Sequence, residues 1–246
     1  MKAMIILNPR AHEGHKPQQR DAIRGEISER LKTALSLESV EWRETAFPGH
    51  SRTLAEEAAQ QGFDYIFAGG GDGTINEVLN GIMRVYPKAM PVLGVLPFGT
   101  SNDFFAALKQ AEAARTIDEQ ADLTLTFDVG HVFFDEIERY FCLTVGIGLV
   151  SWANEQYLEA SQRFGRRFAH IPAAIKALLS YRFLPHVKIS HDGHKPKKKR
   201  ILALMINNSP VIAGGTALTP DAKINDGLFD VCIIKSVSWL RLLWLL

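Results

Sequence analysis

The chain has 246 residues, 46% of them hydrophobic and 22% charged, enough for a sizeable core in one large domain or two modest ones. The formal net charge is only +1, so no global basic field argues for a nucleic-acid partner. The two cysteines, Cys142 and Cys232, lie in separate apolar runs; that spacing makes no zinc site and suits reduced core thiols.

Met4 to Leu7 predicts a buried strand, cut short by Asn8-Pro9 before it could serve as a secretory signal. A helix is expected over Gln18 to Leu37 and a second strand over Val40 to Glu44. Thr53 to Gln61 reads as a helix, with Ser51 as its cap and Gly62 as its stop. A third strand, Tyr65 to Ala68, leads into a helix over Thr74 to Arg84. A fourth, Val92 to Leu96, is followed by a helix starting near Ser101-Asn102. This alternation predicts a parallel sheet covered by helices on both faces.

Near Asp122 the rhythm changes. Leu123 to Val132, Phe133-Phe134 and Tyr140 to Gly146 read as strands joined by short polar turns, and Val187 to Ser190, Ile201 to Asn207 and Leu228 to Ile234 continue the theme. His191-Asp192-Gly193 offers a hairpin turn. Ser151 to Arg182 reads as mostly helical. The expected division is an α/β domain over residues 1–121 and a β-rich domain over 122–246. The last residues, Ser238 to Leu246, look like the opening turns of an amphipathic helix, which suggests a chain cut short. No apolar run reaches the ~18–20 residues of a membrane-spanning helix, so the expectation is a cytoplasmic protein that touches membranes only peripherally.

Ala68-Gly69-Gly70-Gly71-Asp72-Gly73-Thr74 falls between a strand and a helix. Glycines let the backbone turn and leave room for phosphates, and a helix N-terminus favours an anion. Asp72 makes sense there if a magnesium ion or a substrate hydroxyl stands between it and the phosphates. Thr74 can donate to a phosphate or cap the helix. A tight turn with Asp72 as an ordinary cap explains three consecutive glycines less well. The loop lacks the Lys-Ser/Thr of one phosphate-binding signature and the glycine spacing of the dinucleotide fingerprint.

Pro97-Phe98-Gly99-Thr100-Ser101-Asn102-Asp103-Phe104 follows the fourth strand, at the same carboxyl edge, where ligands bind in open α/β sheets. Thr100 and Asn102 can donate to phosphate or ribose, and Asp103 adds a second carboxylate; a Ser/Asn cap with an acidic first turn is the equal alternative. Asn8 and Thr45 end the first two strands at this edge, where they could line a nucleotide pocket, though ordinary turn chemistry accounts for them better. Asp226-Gly227 turns into a strand, and either a hard-cation site or a solvated loop fits the spacing. Lys195 to Arg200 forms a basic stretch in a hairpin, joined by Arg163, Arg166 and Arg167; solvated tips or an anionic bilayer would each suit it.

On these residues the sequence resembles the diacylglycerol kinase catalytic family, in its bacterial soluble lipid kinase branch. The match runs through Asn8-Pro9, Gly70-Gly71-Asp72-Gly73-Thr74-Ile75-Asn76-Glu77-Val78-Leu79-Asn80-Gly81, Pro97 to Phe104, and Ala222 to Val231. The resemblance implies a Rossmann-like N-terminal domain followed by a β-sandwich, as in NAD kinases and diacylglycerol kinases. It implies ATP contacts at Asn8, Thr45, Gly70, Gly71, Asp72, Gly73, Thr74, Ile75, Asn76 and Thr100, with Asp72 and Asp103 as the acidic catalytic residues. A magnesium ion would be held by backbone oxygens of Lys223 and Leu228 and the carboxylate of Asp226. The implied activity is ATP- and Mg2+-dependent transfer of the γ-phosphoryl group to a lipid hydroxyl such as that of diacylglycerol, at a membrane surface, with a homodimer left open. The family's C-terminal Asp-Gly-Glu, whose Glu is its base, has no counterpart here: Asp226-Gly227 continues with Leu228. The base is then absent unless Asp103 or Asp72 substitutes. The rival expectations are an NAD kinase-like activity and a non-catalytic nucleotide-binding remnant; the glycine spacing speaks against a dinucleotide-binding oxidoreductase.

Overall fold

The computed structural model describes residues 1–12, 17–115, 124–148, 151, 155, 186–212 and 214–235. The chain forms two compact units, Met1–Leu143 with Asn208–Leu228, and Thr144–Asn207 with Phe229–Leu246. The units thus exchange chain segments, where the sequence reading drew a single cut at residue 122.

The first unit is built on four parallel strands, β1 (Lys2–Leu7), β2 (Ser39–Glu44), β3 (Tyr65–Gly70) and β4 (Val92–Pro97), in the order β2-β1-β3-β4. Side chains alternate across the sheet, so each strand feeds two cores. Met4, Ile6, Ile66 and Ala68 face one way, against Ala55, Ala58 and Ala59 of α2 (His50–Gln60), Ile75, Val78, Leu79 and Ile82 of α3 (Asp72–Met83), and Phe104 of α4 (Asp103–Ala113). Ala3, Ile5 and Phe67 face the other way, against Leu31 and Leu35 of α1 (Pro17–Leu35). Helices on both faces follow from these opposed apolar stripes.

One helix start and one strand differ from expectation. Ser51 is buried inside α2 rather than capping it; Gly49, at φ 86°, precedes the helix and makes no side-chain cap. Gly62, at φ 71°, does end that segment, because the left-handed conformation costs a glycine little. The strand expected over Leu123 to Val132 is shorter: β5 (Gly130–Phe134) pairs only with β6 (Ile137–Phe141), and the described residues before it are not in a ladder.

In the second unit, β9 (Lys197–Asn207) is flanked by β7 (Thr144–Gly148) and β12 (Asp230–Lys235), with β8 (His186–Ile189) pairing its first half. All pairings are antiparallel. Ile201, Ala203, Met205 and Asn207 alternate inward along β9. The β8–β9 turn falls at Asp192-Gly193, both with positive φ. The basic run Lys197 to Arg200 lies within β9 itself, not in the loop. Two short strands of the first unit, β10 (Val211–Ile212) and β11 (Thr216–Ala217), pair with each other. The helix expected over Ser151 to Arg182, with Arg163, Arg166 and Arg167, and the terminal segment Ser238 to Leu246 lie outside the described residues, apart from Ser151 and Glu155.

Candidate functional site

All the candidate residues belong to the first unit, and most crowd the carboxyl edge of its sheet. The ladder is continued there by single bonds beyond the strands: Thr45 N donates to Leu7 O (2.9 Å), Asn8 N to Gly69 O (2.8 Å), and Phe98 N to Gly70 O (3.2 Å). Asn8, Thr45, Gly70 and Phe98 therefore sit in one row.

Gly71 begins α3: the amides of Thr74 (2.9 Å) and Ile75 (3.1 Å) donate to its carbonyl. The first amides of a helix lack intrahelical acceptors, and the local dipole favours an anion. The glycines before and after Gly71 have different reasons to be there. A Cβ on Gly70 would stand 2.7 Å from Thr74 Cβ, whereas a Cβ on Gly73 would meet nothing within 4 Å. Gly73 is thus not required by the packing of the protein itself; it keeps the helix entrance clear. Thr74 is buried, its hydroxyl 3.4 Å from the Asn8 amide nitrogen, so it links β1 to α3.

Gly99 packs on Gly71, and a Cβ at position 99 would lie 3.0 Å from Gly71 N and closer still to its Cα. Asn102 holds this second loop shut from within. Its Oδ1 accepts from Gly99 N (3.0 Å), and its Nδ2 donates to Gly99 O (2.8 Å) and Pro97 O (3.4 Å). Asn102 adopts φ 53°, ψ 42°, a left-handed conformation that asparagine tolerates better than most residues. The amide suggested by sequence as a phosphate donor is spent on its own loop. Thr100 is exposed in the same turn.

Asp72 does not cap its own helix. Its Oδ2 accepts from Asp103 N (3.1 Å) and its Oδ1 from Phe104 N (3.0 Å), so it caps α4 instead. One carboxylate thereby fixes the two loops relative to each other. Asp103 is buried, 5% exposed, and its Oδ2 accepts from Gly214 N (2.9 Å), at a glycine with φ 87°. Beneath them, the Cys142 thiol is pushed up to about 12, first by burial and then by the negative charge of Asp72.

The tail of the glycine motif is scaffold. Glu77 Oε1 accepts from Gly49 N (3.1 Å), steadying the turn before α2. Asn80 is buried and imitates a strand: its Nδ2 donates to Tyr140 O (2.8 Å) while its Oδ1 accepts from Tyr140 N (2.9 Å). A Cβ on Gly81 would lie 2.7 Å from Ala55 Cβ, so the glycine permits α2 and α3 to touch.

Lys223, Asp226 and Leu228 are exposed in the loop after β11. Asp226 Oδ1 accepts from Leu228 N (3.1 Å), closing its own turn. Asp128, which sequence reasoning did not single out, reaches the same loop: its Oδ2 accepts from Gly227 N (2.7 Å) and its amide donates to Ile224 O (2.7 Å). Only its position in a stretch that forms no strand, just before the β5–β6 hairpin, could have flagged it. Among the described residues, no group of three or more His, Cys, Asp or Glu side chains could hold a metal ion; a cation at this loop would depend on main-chain oxygens.

Comparison with known proteins bears on this geometry. Residues 2–132 match the model of the diacylglycerol kinase catalytic domain. Residues 144–246 match that of the YegS C-terminal NAD kinase beta sandwich-like domain. A diacylglycerol kinase of Bacillus subtilis (strain 168) is 32% identical over 199 residues, covering 79% of this chain and 62% of that protein. A Chromohalobacter salexigens protein named "Probable lipid kinase YegS-like" is 32% identical over 212 residues, covering 78% of this chain and 61% of its own length. The chain therefore spans less than two thirds of these relatives. The crystal structure of a diacylglycerol kinase from Bacillus anthracis str. Sterne shares the fold, with a TM-score of 0.63 at 23% identity over 98% of this chain and 76% of that one.

Proposed function

The chain belongs to the diacylglycerol kinase catalytic domain family, and on that premise we propose that it transfers the γ-phosphoryl group of ATP to the hydroxyl of a lipid such as diacylglycerol. The observation that carries this reading is the vacant approach to Gly73. A Cβ on Gly73 would meet nothing within 4 Å, so the protein's own packing does not need a glycine at this place in the first turn of α3. A phosphate chain drawn close to those amides would be neutralised by main-chain donors and the helix dipole. Thr100, Asn76 and Thr45 stand on the loops and helix around it.

The two carboxylates then divide their work. Both oxygens of Asp72 already accept main-chain bonds, so its task is to hold the α4 loop against the glycine loop. Among the described residues only one oxygen of Asp103 accepts a hydrogen bond, which leaves Oδ1 to receive the proton of an acceptor hydroxyl. Phosphoryl transfer asks mainly for positioning and charge neutralisation, so a modest base suffices. Magnesium suits the oxygen donors near residue 226: Asp226, the main-chain oxygens of Lys223 and Leu228, and the neighbouring carboxylate of Asp128. It would supply positive charge that rigidifies this loop.

Action on a lipid implies contact with a membrane surface. Among the described residues no helix is long and apolar enough to cross one, and the β8–β9 register sets Lys188 opposite Lys198, both exposed. Each such cation gains about 1 kcal/mol at an anionic surface.

The test is Gly73→Ala. An alanine in the first turn should leave folding unchanged or stabilise it by up to about 1 kcal/mol, while weakening Mg-ATP binding at least tenfold and lipid phosphorylation with it. Unchanged ATP affinity in a folded variant would refute the proposal, and ATP-dependent stabilisation of the parent without turnover on any lipid would favour a binding protein instead.

A further inference from the structure

We infer that the turn after β2 is the platform on which the base of the nucleotide stacks, with Phe47 as its stacking surface. This rests on the proposed ATP site and extends it to a position that the phosphate-loop motif does not reach.

Phe47 is a large apolar side chain left 60% exposed, in the turn that follows β2. It is not a loose side chain. His50 stacks on it, ring centroids 4.5 Å apart and planes 12° from parallel. His50 Nδ1 accepts from Ala46 N (3.0 Å), His50 N donates to Phe47 O (3.1 Å), and Gly49 N donates to Glu77 Oε1 (3.1 Å). Every bond fixes the turn that presents the ring, and the last one comes from α3, the helix whose entrance would hold the phosphates. One face of the phenyl ring rests on imidazole, and the residue as a whole stays 60% exposed.

The distance is also suitable. Strand order is β2-β1-β3, and neighbouring strands lie about 4.8 Å apart, so the end of β2 stands about 10 Å along the edge from the end of β3. An extended nucleotide spans that order of distance from its terminal phosphates through ribose to the base. Thr45 stands at the β2 end of this row, and Asn8, at the end of β1, lies between it and Gly70. A purine is a flat π-system, and an aromatic side chain backed by a second ring is a suitable stacking partner for one; such stacking tolerates any base because each has a π-face.

The experiment compares two ligands, Mg-ATP and Mg-tripolyphosphate, on the full chain and on Phe47→Ala and Phe47→Trp, by calorimetry. Base–aromatic stacking of ordinary strength corresponds to roughly a tenfold or greater loss of ATP affinity in Phe47→Ala. Tripolyphosphate affinity should not change, since it has no base. Phe47→Trp should keep ATP affinity and show indole quenching on adding ATP but not tripolyphosphate. Phe47 is exposed, so the alanine variant should fold, and circular dichroism checks this. Equal loss for both ligands, or loss for neither, would overturn the inference. So would reduced binding of Phe47→Ala to phosphatidylglycerol vesicles with ATP affinity intact, because Phe47 would then be a membrane contact. Were the parent chain to bind neither ligand, the kinase reading itself would fall, and the base platform with it.

Discussion

Replacing Asp72 by asparagine separates its two conceivable duties. If Asp72 chiefly waits for a cation beside another carboxylate, neutralising it should relieve repulsion and leave the free protein as stable or more so. The structure demands the opposite. Asp72 accepts two main-chain bonds at the start of α4, at 3.1 and 3.0 Å. Hydrogen bonds to a charged group contribute about 1.5–3 kcal/mol each. Asparagine retains one acceptor, now uncharged, and turns its NH2 group toward the other amide, so about one such bond is lost and the second is weakened. The favourable charge at the α4 N-terminus, worth about 0.3–1 kcal/mol, goes too. Relief from the neighbouring Asp103 returns part of this, leaving a net destabilisation of about 2–3 kcal/mol. With a urea dependence of about 2 kcal/mol per molar, the midpoint of unfolding should fall by about 1 M. The loss should be local as well: hydrogen exchange at the amides of Asp103 and Phe104 should accelerate more than at β1. A midpoint unchanged or raised, with those two amides still protected, would refute the assignment of Asp72 as the α4 cap.

Asn80→Ala should cost about 3 kcal/mol, because it strands both the N–H and the C=O of Tyr140; urea unfolding measures it, and a loss under 1 kcal/mol would contradict the strand-like pairing. Cys142 gives an alkaline signature. Its folded value, about 12, lies above the ordinary 9.0, so folding favours the neutral thiol. That contribution is whole below pH 9 and drains away as pH rises toward 12, at up to about 1.4 kcal/mol per pH unit. Cys142→Val should flatten the fall in stability between pH 9 and 11, and identical slopes for the two proteins would disprove it.

β1, β3 and β4 were legible because each is a short apolar run closed by Asn, Gly or Pro, and β2 because Val40 and Trp42 alternate with polar residues, as suits a strand at the sheet edge. The glycine loop's place between β3 and α3 was legible for the same local reason. What sequence could not disclose were partners far along the chain. Asp72 and Asp103 are both acids in first helical turns, and nothing local says that the first caps the second's helix while the second reaches Gly214. Asn80 looks like an exposed polar residue on a helix until β6 arrives beside it. Asp128 was hidden because a strand pattern extrapolated through Leu123 to Val132 gave it an ordinary alternating position, whereas the described residues before Gly130 form no strand and Asp128 turns its carboxylate toward Gly227. Ser51 was misplaced by composition alone: a hydroxyl before an amphipathic run suggests a cap, but Gly49 makes the turn and Glu77 supplies the acceptor.

The contact between Gly71 and Gly99 carries a consequence for anyone engineering this fold. Two loops that meet through bare main chain leave no side chain at the seam to be exchanged for another, so specificity cannot be retuned there. A library randomised at position 99 should return glycine almost alone, even under selection for folding without any ligand, while one randomised at position 73 should accept many residues until nucleotide is required. Gly71 and Gly73 stand two residues apart, yet only the first is held to glycine by the fold's own packing.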